Sequence, residues 1–249
     1  MGDRLNVFSL YARIWRTYFA WAGTLLPLAF VVFVPLGLIH AIPVHVEATS
    51  LNLGRGLEVF GAFLALLLLV ATGLIGEIFY TGAVAIALTH PHAEERPSLR
   101  EIAATIKYWQ LIAVDLIFGV LVAVGVVAFV VPGILVFVYL GLAAPVVEIE
   151  HRGVRAALAR SYRLVRGHFW VVLLVLVPIE VASDAITGVA TNLTHALLGD
   201  SLVAEWLTDT ATNIVLTPFY AVAAVLLTLD LIAERDGSGP RLHSRPPSR

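Results

Sequence analysis

Residues 116–147 read LIFGVLVAVGVVAFVVPGILVFVYLGLAAPVV, a run without a single charged side chain. As one helix it would be about 48 Å long at 1.5 Å per residue, well beyond the roughly 30 Å hydrocarbon core of a bilayer. Pro132-Gly133 divides it. Two spans joined by a very tight turn fit better, 109–131 and 132–149. Pro132 then sits in the first turn of the second helix, where its missing N–H costs nothing.

The same reading extends outward. Residues 18–39 carry no charge and form a first span, kinked at Pro27 and Pro35. Residues 57–88 form a second, longer and tilted, with Glu77 inside it. Residues 169–198 form a fifth, whose outer end leaves the lipid because Glu180, Asp184, Asn192 and His195 accumulate there. Residues 211–229, with Pro218, form a sixth. Composition agrees: 59% of the 249 residues are hydrophobic and 14% charged, with a mean hydropathy of +0.89. Soluble domains hold about 45–50% apolar and about 25% charged residues. A soluble enzyme, a nucleic-acid binder and a disordered scaffold are excluded. There is no cysteine, so disulfides, cysteine-ligated metals and thiol nucleophiles are excluded too.

Six spans put both termini on one side. That side holds 15 of the 16 basic residues, and only Arg55 falls opposite. The positive-inside rule makes it cytoplasmic. Arginine outnumbers lysine, Lys107 being the one lysine, and alanine, valine and glycine are abundant. That is the composition of a GC-rich bacterial genome, so a bacterial inner membrane is expected. Residues 1–235 read as one integral membrane domain and 236–249 (DGSGPRLHSRPPSR) as a disordered cytoplasmic tail.

Three short amphipathic stretches precede spans one, three and five: RLNVFSLYARIWRTYFAW, PSLREIAATIKYWQ and GVRAALARSYRLVRGHFW. Each reads as an interfacial helix on the cytoplasmic leaflet. The fold expected is therefore all-α: a six-span bundle with three interfacial helices, repeated as 3–90, 97–150 and 153–235. Arg13, Arg16, Arg152, Arg155, Arg163 and Arg166 are placed to meet anionic headgroups, worth about 1 kcal/mol per residue near the surface. Arg160 stands apart from its sister arginines and points to the bundle, with Glu148 or Asp230 as its expected partner in a structural ion pair.

Intramembrane carboxylates are the sharpest functional hint. Glu77 and Glu180 each lie about 12 residues from the inner end of their span, roughly 18 Å deep. Asp184 lies one turn beyond Glu180 on the same face, and no lysine or arginine shares that depth. The three form a candidate proton or cation site. The alternative is a pair of neutral carboxyls bonded to Thr72, Thr81, Tyr80 or backbone carbonyls. Asp115, about one turn past Trp109, is expected near the interface, solvated or paired with a loop arginine. The histidines have no metal-ligand spacing, and no phosphate-binding or dinucleotide motif occurs. No metal site, cofactor or catalytic residue is expected.

The stretch from Pro132 to Trp170 carries a pattern: PGI, Pro145, Glu148, Gly153, Ala157, Arg160-Ser161, Leu164, Arg166-Gly167 and Trp170, with Pro218, Tyr220 and Asp230 further on. It resembles the membrane domain attached to some bacterial glycerophosphodiester phosphodiesterases, and a wider set of six-helix bacterial membrane proteins. The resemblance runs from about residue 95 to 235. It implies a helical membrane fold and no chemistry, since the hydrolase activity belongs to a separate soluble domain absent from this sequence. The function expected is non-enzymatic: an accessory or scaffold protein acting through lipid contacts and a cytosolic or membrane partner, with no nucleic acid involved. The alternative is a small transporter or proton/cation-coupled channel using Glu77, Glu180 and Asp184.

Overall fold

The computed structural model describes residues 7–44, 76–89, 97–199 and 201–237. Among them there is no strand. The helices are α1 (Val7–Val44), α2 (Glu77–Thr89), α3 (Leu99–Thr105), α4 (Tyr108–Ala128), α5 (Val130–Leu140), α6 (Ala143–Ile149), α7 (Val154–Val165), α8 (Phe169–Leu198) and α9 (Leu202–Asp236). Five stretches are long and apolar enough to cross a membrane: Val7–Gly37, Tyr108–Ala128, Val130–Ile149, Phe169–Leu198 and Leu202–Asp236. Phe79–Thr89 is a shorter apolar helix. The chain is an all-helical, multi-pass membrane protein. Residues 57–75 of the expected second span, Thr72 among them, lie outside the described residues, as does the tail beyond Gly237.

The centre is formed by α2, α6 and the inner half of α9. Residues 81–88, 143–148 and 220–229 are buried at every position. They are rich in alanine and valine, and small side chains let helix backbones approach closely where lipid supplies no hydrophobic drive. Thr81, Thr89 and Thr228 donate their hydroxyls to the carbonyl four residues back, at 2.6, 2.7 and 2.8 Å. Those hydroxyls are thus satisfied within their own helices.

Helix α1 runs along α9. Its Tyr18 hydroxyl donates to the Val215 carbonyl at 3.1 Å, and Trp206 Nε1 donates to the Val34 carbonyl at 3.1 Å. The first amphipathic segment is not a separate interfacial helix, because α1 continues through it into the span. No glycine or proline interrupts residues 7–22, so nothing in the chain stops the helix. The second and third segments are separate, as α3 and α7. A capping box of Ser98 and Glu101 starts α3, and α7 is followed by Gly167 at φ +114°. Ala157, Arg160, Ser161, Leu164 and Val165 make the buried face of α7.

The α4–α5 turn is made by Phe129, in extended conformation with φ −172° and ψ 141°. It therefore lies slightly before Pro132-Gly133, and Pro132 falls in the first turn of α5. Gly125 and Gly133 let the two backbones touch. A Cβ on Gly133 would lie 2.8 Å from the Val126 nitrogen, and one on Gly125 would lie 2.8 Å from Gly133 Cα. By contrast, a Cβ on Gly188 of α8 would meet nothing within 4 Å.

Two alanine substitutions separate packing from propensity. Gly133→Ala is expected to lower the unfolding midpoint in detergent, with an overpacking cost of about 1–3 kcal/mol. Gly188→Ala is expected to leave it unchanged or raise it, by at most about 1 kcal/mol.

Candidate functional site

Helix α2 begins inside the bundle. Gly76 has φ +97°, and a Cβ there would come within 2.4 Å of Leu36 Cδ1. The positive φ favours glycine, and any larger residue would also have to displace the Leu36 side chain. The chain turns at Gly76 and α2 starts at Glu77, with Tyr80 N–H bonded to the Gly76 carbonyl at 2.7 Å. Thirteen residues of helix put this start about 20 Å from Thr89. The first N–H groups of a helix have no partner within it. Here Gly76 N–H donates to Asp115 Oδ2 at 2.9 Å, while Asp115 Oδ1 has no hydrogen-bond partner. A carboxylate from α4 thus caps α2, where the helix dipole also favours negative charge.

Asp115 is therefore neither solvated nor paired with a loop arginine. It is 4% exposed. Its helical face decides its surroundings: Leu111, Val114 and Phe118 share the buried side of α4. Asp115 and Gly76 also form part of the wall of a largely apolar cavity of about 490 Å³ between α1, α2, α3 and α4.

The two glutamates of the expected site lie on different helices, Glu77 at the start of α2 and Glu180 within α8. The charges of Glu180, Asp115 and Asp184 all bear on the Glu77 carboxyl, that of Glu180 most strongly. Asp184 bears on Glu180. Glu77 and Glu180 are half-buried, and Asp184 is exposed along α8. Among the described residues, none of the three is ion-paired with an arginine, lysine or histidine. Two expected neutralising partners are committed elsewhere. The Tyr80 hydroxyl donates to the Leu25 carbonyl at 2.9 Å, and the Thr81 hydroxyl donates to the backbone carbonyl of Glu77 rather than to its carboxyl. Among the described residues, no three histidine or carboxylate side chains are grouped to hold a metal ion.

Tyr220 of α9 is a further buried polar group that its sequence context does not reveal, its hydroxyl close to Gly141. It is 2% exposed and its hydroxyl has no hydrogen-bond partner. Glu180 and Glu77 are the charges that act on it.

Arg160 points inward as expected, but to other partners. Its guanidinium lies 2.8 Å from Glu150 Oε1 and also bonds Asp236. Burial works against its charge, and the bonds and charges of Glu150 and Asp236 outweigh it, holding its pKa above the ordinary arginine value. Asp230 instead pairs with Arg13 at 2.7 Å, and Glu148 accepts from the Lys107 N–H at 3.0 Å. Helix geometry explains the exchange: residues two apart, such as Glu148 and Glu150, project to nearly opposite sides. Of the six arginines expected at headgroups, Arg13 and Arg152 are bonded to Asp230 and Glu150. Arg16, Arg155, Arg163 and Arg166 are exposed.

The cap is testable by paired substitutions. Asp115→Ala removes the acceptor and is expected to destabilise the protein by about 1–3 kcal/mol. Asp115→Asn keeps a carbonyl oxygen for Gly76 N–H and is expected to cost less than half as much, read as the unfolding midpoint of the purified protein.

The chain matches no protein-family model, and no curated protein and no solved structure is significantly similar to it.

Proposed function

We propose that the protein is a small proton-conducting channel of a bacterial inner membrane, with Glu77 and Glu180 as the proton-carrying groups and Asp184 beside them. The observation that carries this reading is that Glu77 on α2 and Glu180 on α8 are half-buried and have no ion-pair partner among the described residues. Such side chains are costly inside a bilayer, about 2.5–3.5 kcal/mol for an aspartate at the centre on insertion scales, and mark ion and proton pathways. Two features support it further. The Tyr80 and Thr81 hydroxyls that would neutralise Glu77 are bonded to backbone carbonyls. Carboxylates not grouped to chelate a metal ion suit a proton better than a divalent cation. The reading includes six spans, both termini in the cytoplasm, the threefold plan, no enzyme activity, and the resemblance to the phosphodiesterase-type membrane domain as its fold relation.

One observation favours a second reading. Arg16, Arg155, Arg163 and Arg166 are exposed. They suit an accessory or scaffold role through anionic headgroups or a cytosolic partner, which does not need the carboxylates.

Proton flux separates the two. Liposomes containing the purified protein and an internal pH dye are given a potassium-valinomycin potential. The wild type is expected to acidify the lumen faster than empty liposomes. Glu77→Gln and Glu180→Gln are each expected to lower that rate by about tenfold or more, a barrier rise of about 1.4 kcal/mol. Equal rates for wild type, variants and empty liposomes would leave the scaffold reading.

A further inference from the structure

The cavity between α1, α2, α3 and α4 holds about 490 Å³, within the roughly 300–1,000 Å³ of small-molecule sites. Its wall runs along α1 from Leu28 to Leu36 and along α4 from Tyr108 to Leu116. Each stretch is about 12 Å of helix, so an alkyl chain of medium length can lie along it. Val31 of α1 and Leu116 of α4 belong to this wall and are exposed. Both lie in stretches apolar enough to cross a membrane. Exposure there means facing lipid, so the cavity can be entered sideways from the bilayer.

The wall is apolar apart from a few groups, and all but one of their hydrogen bonds are made. The Tyr108 hydroxyl donates to the Ala103 carbonyl at 2.7 Å. Gly76 N–H is taken by Asp115 Oδ2 at 2.9 Å. Asp115 Oδ1 remains, buried and without a partner, on a residue that is 4% exposed. Leaving a buried acceptor unmet is costly. Protonating the carboxyl does not meet the need, because the new O–H would lack an acceptor in turn. A buried water makes about three hydrogen bonds, and this wall offers too few groups to hold one. A donor carried in on an apolar body suits both the unmet oxygen and the apolar wall.

We infer that this cavity binds a single-chain amphiphile whose small head, an ammonium or a hydroxyl, donates a hydrogen bond to Asp115 Oδ1 while its chain lies between α1 and α4. A carboxylate or phosphate head would bring acceptors and negative charge to a carboxyl that needs a donor. Asp115 stands about 10 Å along α4 from Tyr108, where the span begins. A bulky, strongly hydrated head would have to be drawn into the span, whereas a small one fits. The bound head and the Gly76 N–H share the Asp115 carboxyl, one on each oxygen. The inference does not depend on proton conduction, since it uses neither Glu77 nor Glu180.

The purified protein in detergent is photolabelled with dodecylamine carrying a diazirine at the end of its chain. Unlabelled dodecylamine, dodecanol and dodecyl methyl ether compete. The three share one chain, and only the ether lacks a donor. Label is expected in peptides holding residues 28–36 and 112–116. The amine or the alcohol is expected to compete about tenfold or more better than the ether, and the better of the two identifies the head. Two variants, each checked for yield of folded protein, locate the site. Asp115→Asn keeps a carbonyl for Gly76 N–H and sets an amide N–H in place of Oδ1. It is expected to lower labelling by the amine about tenfold. Val32→Phe enlarges the α1 wall without touching Asp115 and is expected to abolish labelling in both peptides. Equal competition by ether, amine and alcohol in the wild type would overturn the inference, because no head would then be recognised. Undiminished labelling in Asp115→Asn or in Val32→Phe would overturn it too, because the label would then report exposed helix faces and not the cavity. None of these readouts uses proton flux, so the inference fails or holds separately from the channel reading.

Discussion

The structure depends on a carboxylate placed where a helix begins inside the bundle. In hydrocarbon, backbone N–H and C=O groups have no water to bond, and irregular backbone survives only where protein satisfies it. Gly76, at φ +97°, turns the chain just before α2, and Asp115 accepts its N–H. The arrangement follows from that pairing. It ties the start of α2 to α4.

The inner face is held by a different kind of contact. Arg160 joins the end of α6 to the end of α9 through Glu150 and Asp236, and Arg13 joins α1 to α9 through Asp230. Each arginine presents a planar, multi-donor head to carboxylate oxygens, the geometry in which such pairs are strongest. These contacts lie far from the Glu77–Glu180 pair along α9. They tie the C-terminal half of α9 to α1, α6 and α7.

Much of this was legible from hydropathy and charge. The division of residues 116–147 into two helices follows from length alone, and the inward turn of Arg160 follows from its position on α7. Glu77 and Glu180 could be matched by counting residues from the inner ends of their spans. The rest required three dimensions. A glycine that breaks a helix and a glycine that packs inside one look alike in a run such as ATGLIGEIFY, so the start of α2 at Glu77 was hidden. Asp115 was judged by depth, whereas its face on α4 sets its environment. The partners of Arg160 depended on which side of a helix end each carboxylate leaves. The continuity of α1 was readable, since nothing in residues 7–22 stops a helix, but the amphipathic pattern drew attention away from it.

The central claim is that the Glu77–Glu180 pair is reached by water rather than sealed in a dry core. The absence of cysteine makes this directly measurable. A single Glu180→Cys protein in intact membranes is exposed to a small, hydrophilic, charged thiol reagent. Ser201→Cys, at the exposed outer end of α9, is the positive control, and Leu226→Cys, 0% exposed, is the negative one. The account predicts that the thiol at position 180 reacts readily, like that at 201. Protection equal to that at 226 would contradict it.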